Sequence, residues 1–496
     1  MLIPESRQKL RLELLRRVLL VLVALGFLGL LLDIDEFQTQ STQTWKSAVS
    51  AAQQRLQLSQ PTLRGEIDEE PASIKMDHSL FAVRRTRPLN SGLHNEQFVS
   101  RSTSFDSTVS RGKGVIIALH NAAFAMGLSL ITELRCLGNS ELVQVYYCTD
   151  EDLSSEHREL LLAQDNRLEV IDVCSAMQHT KRLTSWEAAQ FKNWWIKPLA
   201  MFHTDLTEPI LLDADDVLLQ NPAIVRQTPR YNASGTMFFY DRVAKCPFFL
   251  NNQFEQYDNA QYLSFLVRGF NYEAFGLFGA SPSQHLLNSF AYRRESCHEM
   301  DSSMVAIDKR RAGKALDVLW WLITELRFRM EFSWGDKESF WLAYELAQQP
   351  YAFSPWGVSV ISSSPNQDME KHPDSLCGSI AQYVPTNDGE EQLFYVNGRA
   401  LLDPLAQGVD NKRATPNLMY NANPTHVVPR MSRTTPKSSH TTLSFSSPAL
   451  PFECLVGLGS TPLPSHFVRS LYRRRRMYLD INSGVYSHLK QCYDAR

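Results

Sequence analysis

The chain has 496 residues, of which 44% are hydrophobic and 21% charged, and its formal net charge is −3. Fifty basic residues against 53 acidic ones produce no overall positive field, which argues against a nucleic-acid partner. The hydrophobic content is too high for a mostly disordered chain. The composition therefore indicates a folded protein, long enough for one large catalytic domain with appended segments.

An apolar run follows a basic tail at the amino terminus. Residues 18–34 are almost entirely apolar and would span about 25 Å as a helix. Arginine and lysine precede the run, and Asp33, Asp35 and Glu36 mark its end. The positive-inside rule then predicts a cytoplasmic tail over 1–17, a signal-anchor over 18–34 and a lumenal remainder, as in a single-pass type II membrane protein. A cleaved signal peptide is the alternative, but no small-residue cleavage site follows the run.

A polar segment separates the apolar run from the rest of the chain. It is rich in Gln, Ser, Thr and Arg without a sustained period, which predicts a flexible stem over 35–110. A lumenal domain over 111–496 follows. Within it, the stretch 409–450 is rich in Pro, Ser, Thr and Asn, which predicts a mobile insertion loop.

The cysteines and one arginine cluster suggest further local features. All eight cysteines lie beyond the apolar run, and they contain no C-x-x-C pair, which disfavours a zinc site. Cys148 and Cys174 end apolar runs, so we predict that they are buried thiols rather than a disulfide. The basic cluster Arg473–Arg476 is predicted to lie on a solvated helix face.

Strands and helices are predicted to alternate through the first half of the lumenal domain. In chain order the pattern predicts a strand at 115–119, a helix at 122–137, a strand at 143–147, a helix at 151–163, a strand at 168–173, a helix at 188–203 broken near Pro198, and a strand at 209–212. This alternation is typical of an α/β fold, with helices on both faces of a mostly parallel central sheet.

Three acidic residues follow the last of these strands. Asp213, Asp215 and Asp216 come directly after the apolar run Ile210–Leu212. Ligands gather at the carboxyl ends of strands in open parallel sheets, and neighbouring carboxylates repel one another unless a cation or protons intervene. Carboxylates are hard ligands that suit Mg²⁺ or Mn²⁺, and such an ion can neutralise a departing diphosphate. The alternative is an acidic turn that caps the next helix.

Two classes of enzyme use such an arrangement of acids. One comprises nucleotide-sugar transferases with a D-x-D motif. The other comprises haloacid-dehalogenase-type phosphatases, whose D-x-D-x-[TV] pattern is matched by Asp213–Val217. In those phosphatases the motif follows the first strand of the domain, whereas here about three strand–helix units precede it. Its position therefore favours the transferase.

Further stretches of this chain match one enzyme family. They are LR..G at 134–138, WWIKPLAMF at 194–202, ILLDADDVLLQNP at 210–222, GTMFFYDR at 235–242, MVAIDKRR at 304–311, WGDKESFWLAYEL at 334–346, LCGSIAQYV at 376–384 and LFYVNGRALL at 393–402. In these motifs and in their order, the chain resembles the fungal-type Golgi α-mannosyltransferases that extend mannan with α-1,2 or α-1,3 linkages.

The resemblance implies a GT-A fold and mannosyl transfer from GDP-mannose with retention of anomeric configuration, assisted by Mn²⁺ (or Mg²⁺). It implies a Golgi membrane location and a glycan acceptor on a glycoprotein. Asp213 and Asp215 would then bind the metal ion, and Asp213 would also face the donor ribose. Lys197, one helix before the motif, would reach the donor diphosphate as a point charge; the alternative is a solvated lysine on a helix face.

The segment Trp334–Trp341 supplies the candidate catalytic residues, Asp336 and Glu338. In sugar sites, aromatic faces pack against the apolar side of a pyranose, and carboxylates accept hydrogen bonds from its hydroxyl groups. We therefore expect these two acids to orient the acceptor hydroxyl or to stabilise an oxocarbenium-like centre. The alternative is a helix amino terminus, in which Asp336 caps the helix and Glu338 lies near the positive end of its dipole.

One departure from the GT-A pattern concerns the third metal ligand. GT-A enzymes usually complete the metal shell with a late histidine, whereas this chain has Gln382-Tyr383 where that residue is expected. The missing histidine leaves open a catalytically inactive, glycan-binding relative. The same fold with a UDP-sugar donor also remains open beside the phosphatase, because a D-x-D motif does not read the nucleotide base.

Overall fold

The computed structural model describes residues 80–84, 95–254, 259–362, 375–387, 389–403, 423–434, 454–489 and 492. All of them belong to the unit formed by residues 75–496. The predicted cytoplasmic tail, the predicted signal-anchor at 18–34 and most of the predicted stem lie outside the described residues. Within the described part, no helix is long and apolar enough to cross a membrane.

The strands vary from two to eight residues in length. They are β1 (Val99–Ser100), β2 (Lys113–Ala118), β3 (Leu142–Tyr147), β4 (Leu168–Asp172), β5 (Glu208–Leu212), β6 (Asp216–Leu218), β7 (Thr236–Tyr240), β8 (Gln253–Phe254), β9 (Ala260–Gln261), β10 (Met300–Ile307), β11 (Ser359–Ser362), β12 (Leu376–Cys377), β13 (Ser379–Tyr383), β14 (Leu393–Asn397), β15 (His426–Val427), β16 (Cys454–Leu455) and β17 (Thr461–Pro462).

The α-helices alternate with these strands in the first half of the domain. They are α1 (Phe124–Cys136), α2 (Thr149–Asp152), α3 (Ser155–Gln164), α4 (Val173–His179), α5 (Ser185–Ala189), α6 (Ile196–His203), α7 (Pro229–Ser234), α8 (Tyr262–Gly269), α9 (Gln284–Asn288), α10 (Ala315–Thr324), α11 (Lys337–Leu346), α12 (Arg399–Leu402) and α13 (Ser465–Asn482). The helix predicted over 188–203 is divided before Ile196, and not at Pro198. Pro198 lies in the first turn of α6, where a helix does not need its N–H group.

The central sheet has seven strands in the order β1-β4-β3-β2-β5-β10-β7. The four strands from β2 to β5 are mutually parallel, and each coincides with a strand predicted from an apolar run. In contrast, β1, β10 and β7 pair antiparallel with their neighbours. The predicted α/β class is confirmed, but the sheet is mixed rather than mostly parallel.

Both faces of the central sheet are buried, because side chains alternate between the faces along each strand. Ile116 and Leu211 join a hydrophobic cluster that includes residues of α4, α6, α10 and α11. Val115 and Ile210 join a second cluster on the opposite face, with residues of α1, α3 and α13. This two-sided burial explains why these strands are mostly apolar in the sequence, although β3 and β4 each contain one buried polar residue, Gln144 and Glu169.

A second sheet, which the sequence pattern did not predict, contains β17-β15-β11-β13-β14-β6 in that order. Its edge strand β6 begins only four residues after β5 ends, and Asp216 is paired with Asn397 of β14. The chain therefore passes from one sheet to the other through residues 213–215. This corner between the two sheets contains the acidic motif.

Two predicted boundaries differ from the structure. The stem was predicted to continue to Ser110, but β1 pairs with β4 at the edge of the central sheet, and Phe81 is buried in the core. Part of the predicted insertion loop, residues 423–434, contains β15, which pairs with β11. The other residues of that loop lie outside the described residues.

All eight cysteines form disulfides. The pairs are Cys136–Cys492, Cys148–Cys174, Cys246–Cys297 and Cys377–Cys454. The prediction that Cys148 and Cys174 are separate buried thiols was wrong. Both residues are buried, and they come together because β3 and β4 are adjacent parallel strands whose carboxyl ends meet at one edge of the sheet.

Candidate active site

The acidic motif forms a tight turn at the corner between the two sheets. The Asp213 amide extends the ladder of β5 by donating to the carbonyl of Ser303 at 2.8 Å. The Asp216 amide then donates to the carbonyl of Asp213 at 3.1 Å, which closes the turn. Asp213 and Asp215 are partly exposed here, whereas Asp216 is fully buried. The turn therefore presents two of its three carboxylates toward solvent.

Lys197 joins the acidic turn to the segment around Asp336. Its ammonium lies 2.9 Å from Asp213 Oδ1 and 3.2 Å from Asp336 Oδ2, and it also donates to the carbonyl and hydroxyl oxygens of Ser302. Lys197 is buried, and burial lowers its pKa, but the two carboxylates outweigh that effect and raise it. The structure therefore brings Lys197, Asp213 and Asp336 together, as expected if all three serve one site.

Asn397 at the end of β14 holds the other two acids of the turn. Its side-chain amide donates to Asp215 Oδ1 at 3.0 Å and to Asp216 Oδ1 at 3.1 Å. Asn397 lies in the stretch 393–402 that matches the family, and no role was predicted for it. Only the pairing of β14 with β6 places this amide beside acids that lie 182 and 181 residues earlier in the chain.

Arg474 on α13 supports the turn from behind. Its guanidinium donates to the carbonyl of Ala214 at 2.8 Å, to the carbonyl of Met126 at 2.9 Å and to the hydroxyl of Ser129. The side chain is fully buried, so the prediction that the cluster Arg473–Arg476 lies on a solvated helix face was wrong for this residue. Within a run of four arginines, the sequence alone does not show which one points into the protein.

The acids of the turn share an excess of negative charge. Burial and the carboxylates of Asp215 and Asp336 raise the pKa of Asp213 to about 7, although Lys197 opposes the shift. Burial also raises the pKa of Asp215, and burial together with the other two acids raises the pKa of Asp216. A bound cation would relieve this repulsion.

The donor set of the turn fits a divalent cation of the Mg²⁺ or Mn²⁺ type. Asp213 and Asp215 supply hard carboxylate oxygens, and such ions often take only one or two carboxylates while substrate phosphates and water complete the shell. No group of three or more His, Cys, Asp or Glu side chains suited to a metal ion occurs among the described residues. At the position where the late histidine is expected, the side-chain amide of Gln382 donates to Asp301 and to the carbonyl of Tyr240. A third protein ligand is therefore not assigned.

Glu338 lies away from this turn, in the interior. It is fully buried at the start of α11 and accepts hydrogen bonds from the amides of Glu299 and Met300 and from the indole of Trp341. Phe340 and Trp341 are also fully buried. The structure thus ties Glu338 to β10, and the aromatic side chains that remain exposed beside Asp336 belong to other residues.

We expect Glu338→Gln to change stability rather than turnover. Burial raises the pKa of Glu338 to about 8 from an ordinary value of 4.5, so the folded protein keeps this proton over a pH range in which the unfolded chain loses it. The stability that this group contributes is therefore present below about pH 4.5 and is lost as the pH rises through about 8. The glutamine variant cannot titrate there, so its free energy of unfolding will fall less between about pH 5 and pH 8 than that of the native chain.

Urea unfolding at these two pH values checks this prediction, with exposed Glu156→Gln as the matched control. Turnover should persist in the folded variant at position 338. A fully folded but inactive Glu338→Gln variant would instead support the catalytic role predicted from the sequence.

A family model now identifies the chain more closely. The model described as "Mannosyltransferase putative" matches residues 112–383, which is more than half of the chain. The chain belongs to this mannosyltransferase family. The matched range contains Lys197, the acidic turn and Asp336, so the family assignment covers the site as well as the central sheet. The resemblance to α-mannosyltransferases inferred from the sequence motifs is confirmed.

Among curated relatives, the "Putative alpha-1,3-mannosyltransferase MNN14" of Candida albicans is 25% identical over 323 residues, which cover 61% of this chain and 45% of the relative. The alpha-1,3-mannosyltransferase MNT3 of Saccharomyces cerevisiae is 24% identical over 307 residues, which cover 58% of this chain and 47% of the relative. The matched regions thus span less than half the length of these two relatives.

Solved structures share a weaker likeness with this mannosyltransferase family member. The bifunctional glycosyltransferase WbbM in its apo form has a TM-score of 0.31 at 11% identity, covering 51% of this chain and 40% of that chain. The galactosyltransferase LgtC, in complex with donor and acceptor sugar analogues, has a TM-score of 0.28 at 11% identity, covering 49% and 73%. At these scores the likeness carries no argument about this chain.

Proposed function

We propose that this chain is a Golgi α-mannosyltransferase with a GT-A-type fold that transfers mannose from GDP-mannose to a mannose-containing glycan on a glycoprotein, with retention of configuration. The observation that carries the proposal is the acidic turn at the corner of the two sheets, where Asp213 and Asp215 face solvent and Lys197 links Asp213 to Asp336. The names of the two relatives favour the α-1,3 over the α-1,2 linkage.

In the proposed reaction, Asp213 and Asp215 hold Mn²⁺ or Mg²⁺. When bound, this ion supplies positive charge against the diphosphate that leaves the donor. The ammonium of Lys197 is already surrounded by oxygen atoms of Asp213, Asp336 and Ser302. We therefore assign Lys197 to the positioning of the two carboxylates rather than to direct contact with the diphosphate.

Asp336 is the residue we assign beside the reacting sugar. Burial raises its pKa, and the ammonium of Lys197 3.2 Å away opposes that shift. A fixed negative charge here would stabilise the oxocarbenium-like centre that develops as the sugar leaves the diphosphate. Orientation of the acceptor hydroxyl by the same carboxylate is compatible with this placement.

We further propose that the chain is a single-pass type II protein of the Golgi membrane, anchored by residues 18–34 with its catalytic domain in the lumen. The charge asymmetry around that run supports this orientation. The four disulfides support an oxidising compartment for residues 136–492, because such bonds persist in the secretory pathway and are rare in the cytosol.

Calorimetric titration of the purified full chain tests the proposed donor. GDP, UDP and inorganic phosphate are titrated with and without Mn²⁺, and the expected result is Mn²⁺-dependent binding of GDP, followed by consumption of GDP-mannose in the presence of a mannoside. UDP binding in place of GDP would keep the reaction class and change the donor. Binding of neither nucleotide would overturn the proposal, and a phosphoaspartate at Asp213 would indicate the phosphatase.

A further inference from the structure

Exposed aromatic side chains are concentrated beside Asp336. Of the nine large hydrophobic residues that are exposed in the described part of the chain, four occur here: Trp186, Trp194, Phe328 and Trp334. We call these four residues the tryptophan face. Trp194 is 55% exposed and Trp334 is 38% exposed, although indole rings of this size usually bury most of their surface. An exposed aromatic group of this kind marks a binding surface more often than a solvated one.

Local contacts pack the members of the tryptophan face, and one cavity is lined by both Phe328 and Gly335. The rings of Trp186 and Phe328 lie 5.4 Å apart, and the guanidinium of Arg327 stacks over Phe328 at 4.5 Å and over Trp195 at 4.6 Å. Gly335 has a φ of +69°, and a Cβ atom on it would lie 3.0 Å from the ring of Trp194. Glycine at 335 thus allows the indole of Trp194 to pack directly on the backbone that leads to Asp336.

A cavity opens at this face. Its volume is about 420 Å³, and its lining includes Gln190, Trp195, Arg327, Phe328, Glu331 and Gly335. The lining contains an amide, one cation and one anion, so it offers hydrogen-bonding groups without a net charge. The guanidinium of Arg327 is fixed in this lining, because its Nη2 donates to the carbonyl of Gln190 at 3.3 Å.

The tryptophan face is continuous with the candidate active site through two chain segments. Trp194 precedes Lys197 by three residues, Trp334 precedes Asp336 by two, and Lys197 and Asp336 are 3.2 Å apart. The same two segments therefore provide both the charged pair of the site and the exposed indoles. A ligand that binds across these indoles would lie against the backbone at Gly335, one residue before Asp336, whose own side chain is only 2% exposed.

The chemistry of the face suits a neutral oligosaccharide. A pyranose has an apolar side that packs on aromatic rings and a rim of hydroxyl groups that needs amide, carboxylate or guanidinium partners. An anionic polymer would require an excess of cations over anions, and the lining of this cavity has one of each. We propose that the tryptophan face binds the acceptor glycan and presents its terminal sugar to the site at Asp336; this inference rests on the function proposed above.

Binding of an α-linked mannotriose to the full chain tests this inference. We expect Trp194→Ala and Trp334→Ala each to weaken mannotriose binding, and to raise its KM, by about three- to tenfold, the usual contribution of an aromatic stacking contact. Trp194→Phe keeps an aromatic surface and should recover part of the affinity. The affinity for GDP is measured in the same preparations and should stay unchanged. An unchanged affinity for GDP would show that each variant is folded.

Tyr472→Ala is the matched control, because Tyr472 is 59% exposed on α13, which packs against the opposite face of the central sheet. The inference is overturned if mannotriose affinity is unchanged in both tryptophan variants or falls equally in the control. A chain that binds GDP but not mannotriose overturns only this docking surface. A chain that binds neither GDP nor GDP-mannose overturns the proposed function itself.

Discussion

Replacement of Asp215 by asparagine is expected to lower the turnover of GDP-mannose by at least about a hundredfold, the usual cost of losing one group that stabilises transition-state charge. Asp215 is one of the two partly exposed carboxylates at the corner between the sheets, and it is the one not engaged by Lys197. Asparagine keeps the shape of the side chain and removes its negative charge. The loss should therefore appear in turnover and in the concentration of Mn²⁺ required.

The same substitution is expected to leave stability unchanged or to increase it. Asn397 donates to Asp215 Oδ1, and the corresponding oxygen of asparagine can still accept that hydrogen bond. Burial raises the pKa of Asp215, which means that its charge is unfavourable in the folded protein without a cation. Removal of that charge also relieves repulsion on Asp216. Activity and thermal stability should thus move in different directions.

Steady-state kinetics over a Mn²⁺ titration, together with thermal unfolding with and without EDTA, measures both effects. Asp150→Asn is the matched control, since Asp150 is an exposed acid paired with Arg158 on the surface. If the Asp215 variant keeps nearly native turnover, the acidic turn does not carry the reaction. A variant that loses activity because it unfolds would be recognised by its melting temperature and would contradict the expected stability.

Replacement of Arg474 by methionine is expected to reduce the free energy of unfolding by about 3 kcal/mol or more. Removal of a buried, hydrogen-bonded cation leaves buried acceptors without their donor. Arg474 is fully buried and donates to three acceptors: the carbonyl oxygens of Met126 and Ala214 and the hydroxyl of Ser129. Methionine fills part of the volume but donates no hydrogen bond. The loss of stability should be large, although nothing in the sequence distinguishes Arg474 from the other three arginines of its run.

The structure also predicts a functional consequence of this variant. The carbonyl of Ala214 lies between Asp213 and Asp215, so loss of the Arg474 contact removes the support of the turn that carries both acids. Any folded Arg474→Met protein should bind GDP and Mn²⁺ more weakly than the native chain. Arg474→Lys keeps the charge but loses the planar fork of the guanidinium. We expect its stability and its nucleotide affinity to lie between those of Arg474→Met and of the native chain.

Urea unfolding measures the loss of stability, and Arg469→Met on the same helix provides the control, because Arg469 is exposed. The control should change the free energy of unfolding by less than about 0.5 kcal/mol, as is usual for surface substitutions. A similarly small change in Arg474→Met would show that the buried guanidinium does not stabilise the corner. Nearly native nucleotide affinity would show that Ala214 does not need its support.

Local sequence pattern determined the central part of the fold. The strands from β2 to β5 are buried on both faces, so they are mostly apolar and can be recognised without knowledge of their neighbours. The acids that follow β5 were recognised as a candidate site for the same local reason. The family motifs extended this assignment to Lys197 and Asp336, which the structure joins through one ion pair.

Only the tertiary structure decided which residues surround those acids. Asn397 and Arg474 reach the turn from 182 and 260 residues away, through the pairing of the second sheet and the packing of α13. The edge strand β1 and the disulfide partners were also missed, because a two-residue strand has no period and cysteine pairing depends on distant elements. Periodicity reports whether a segment is buried, whereas the partners of a buried charge are set by long-range packing. For this reason the sequence located the acidic turn, and the fold determined what supports it.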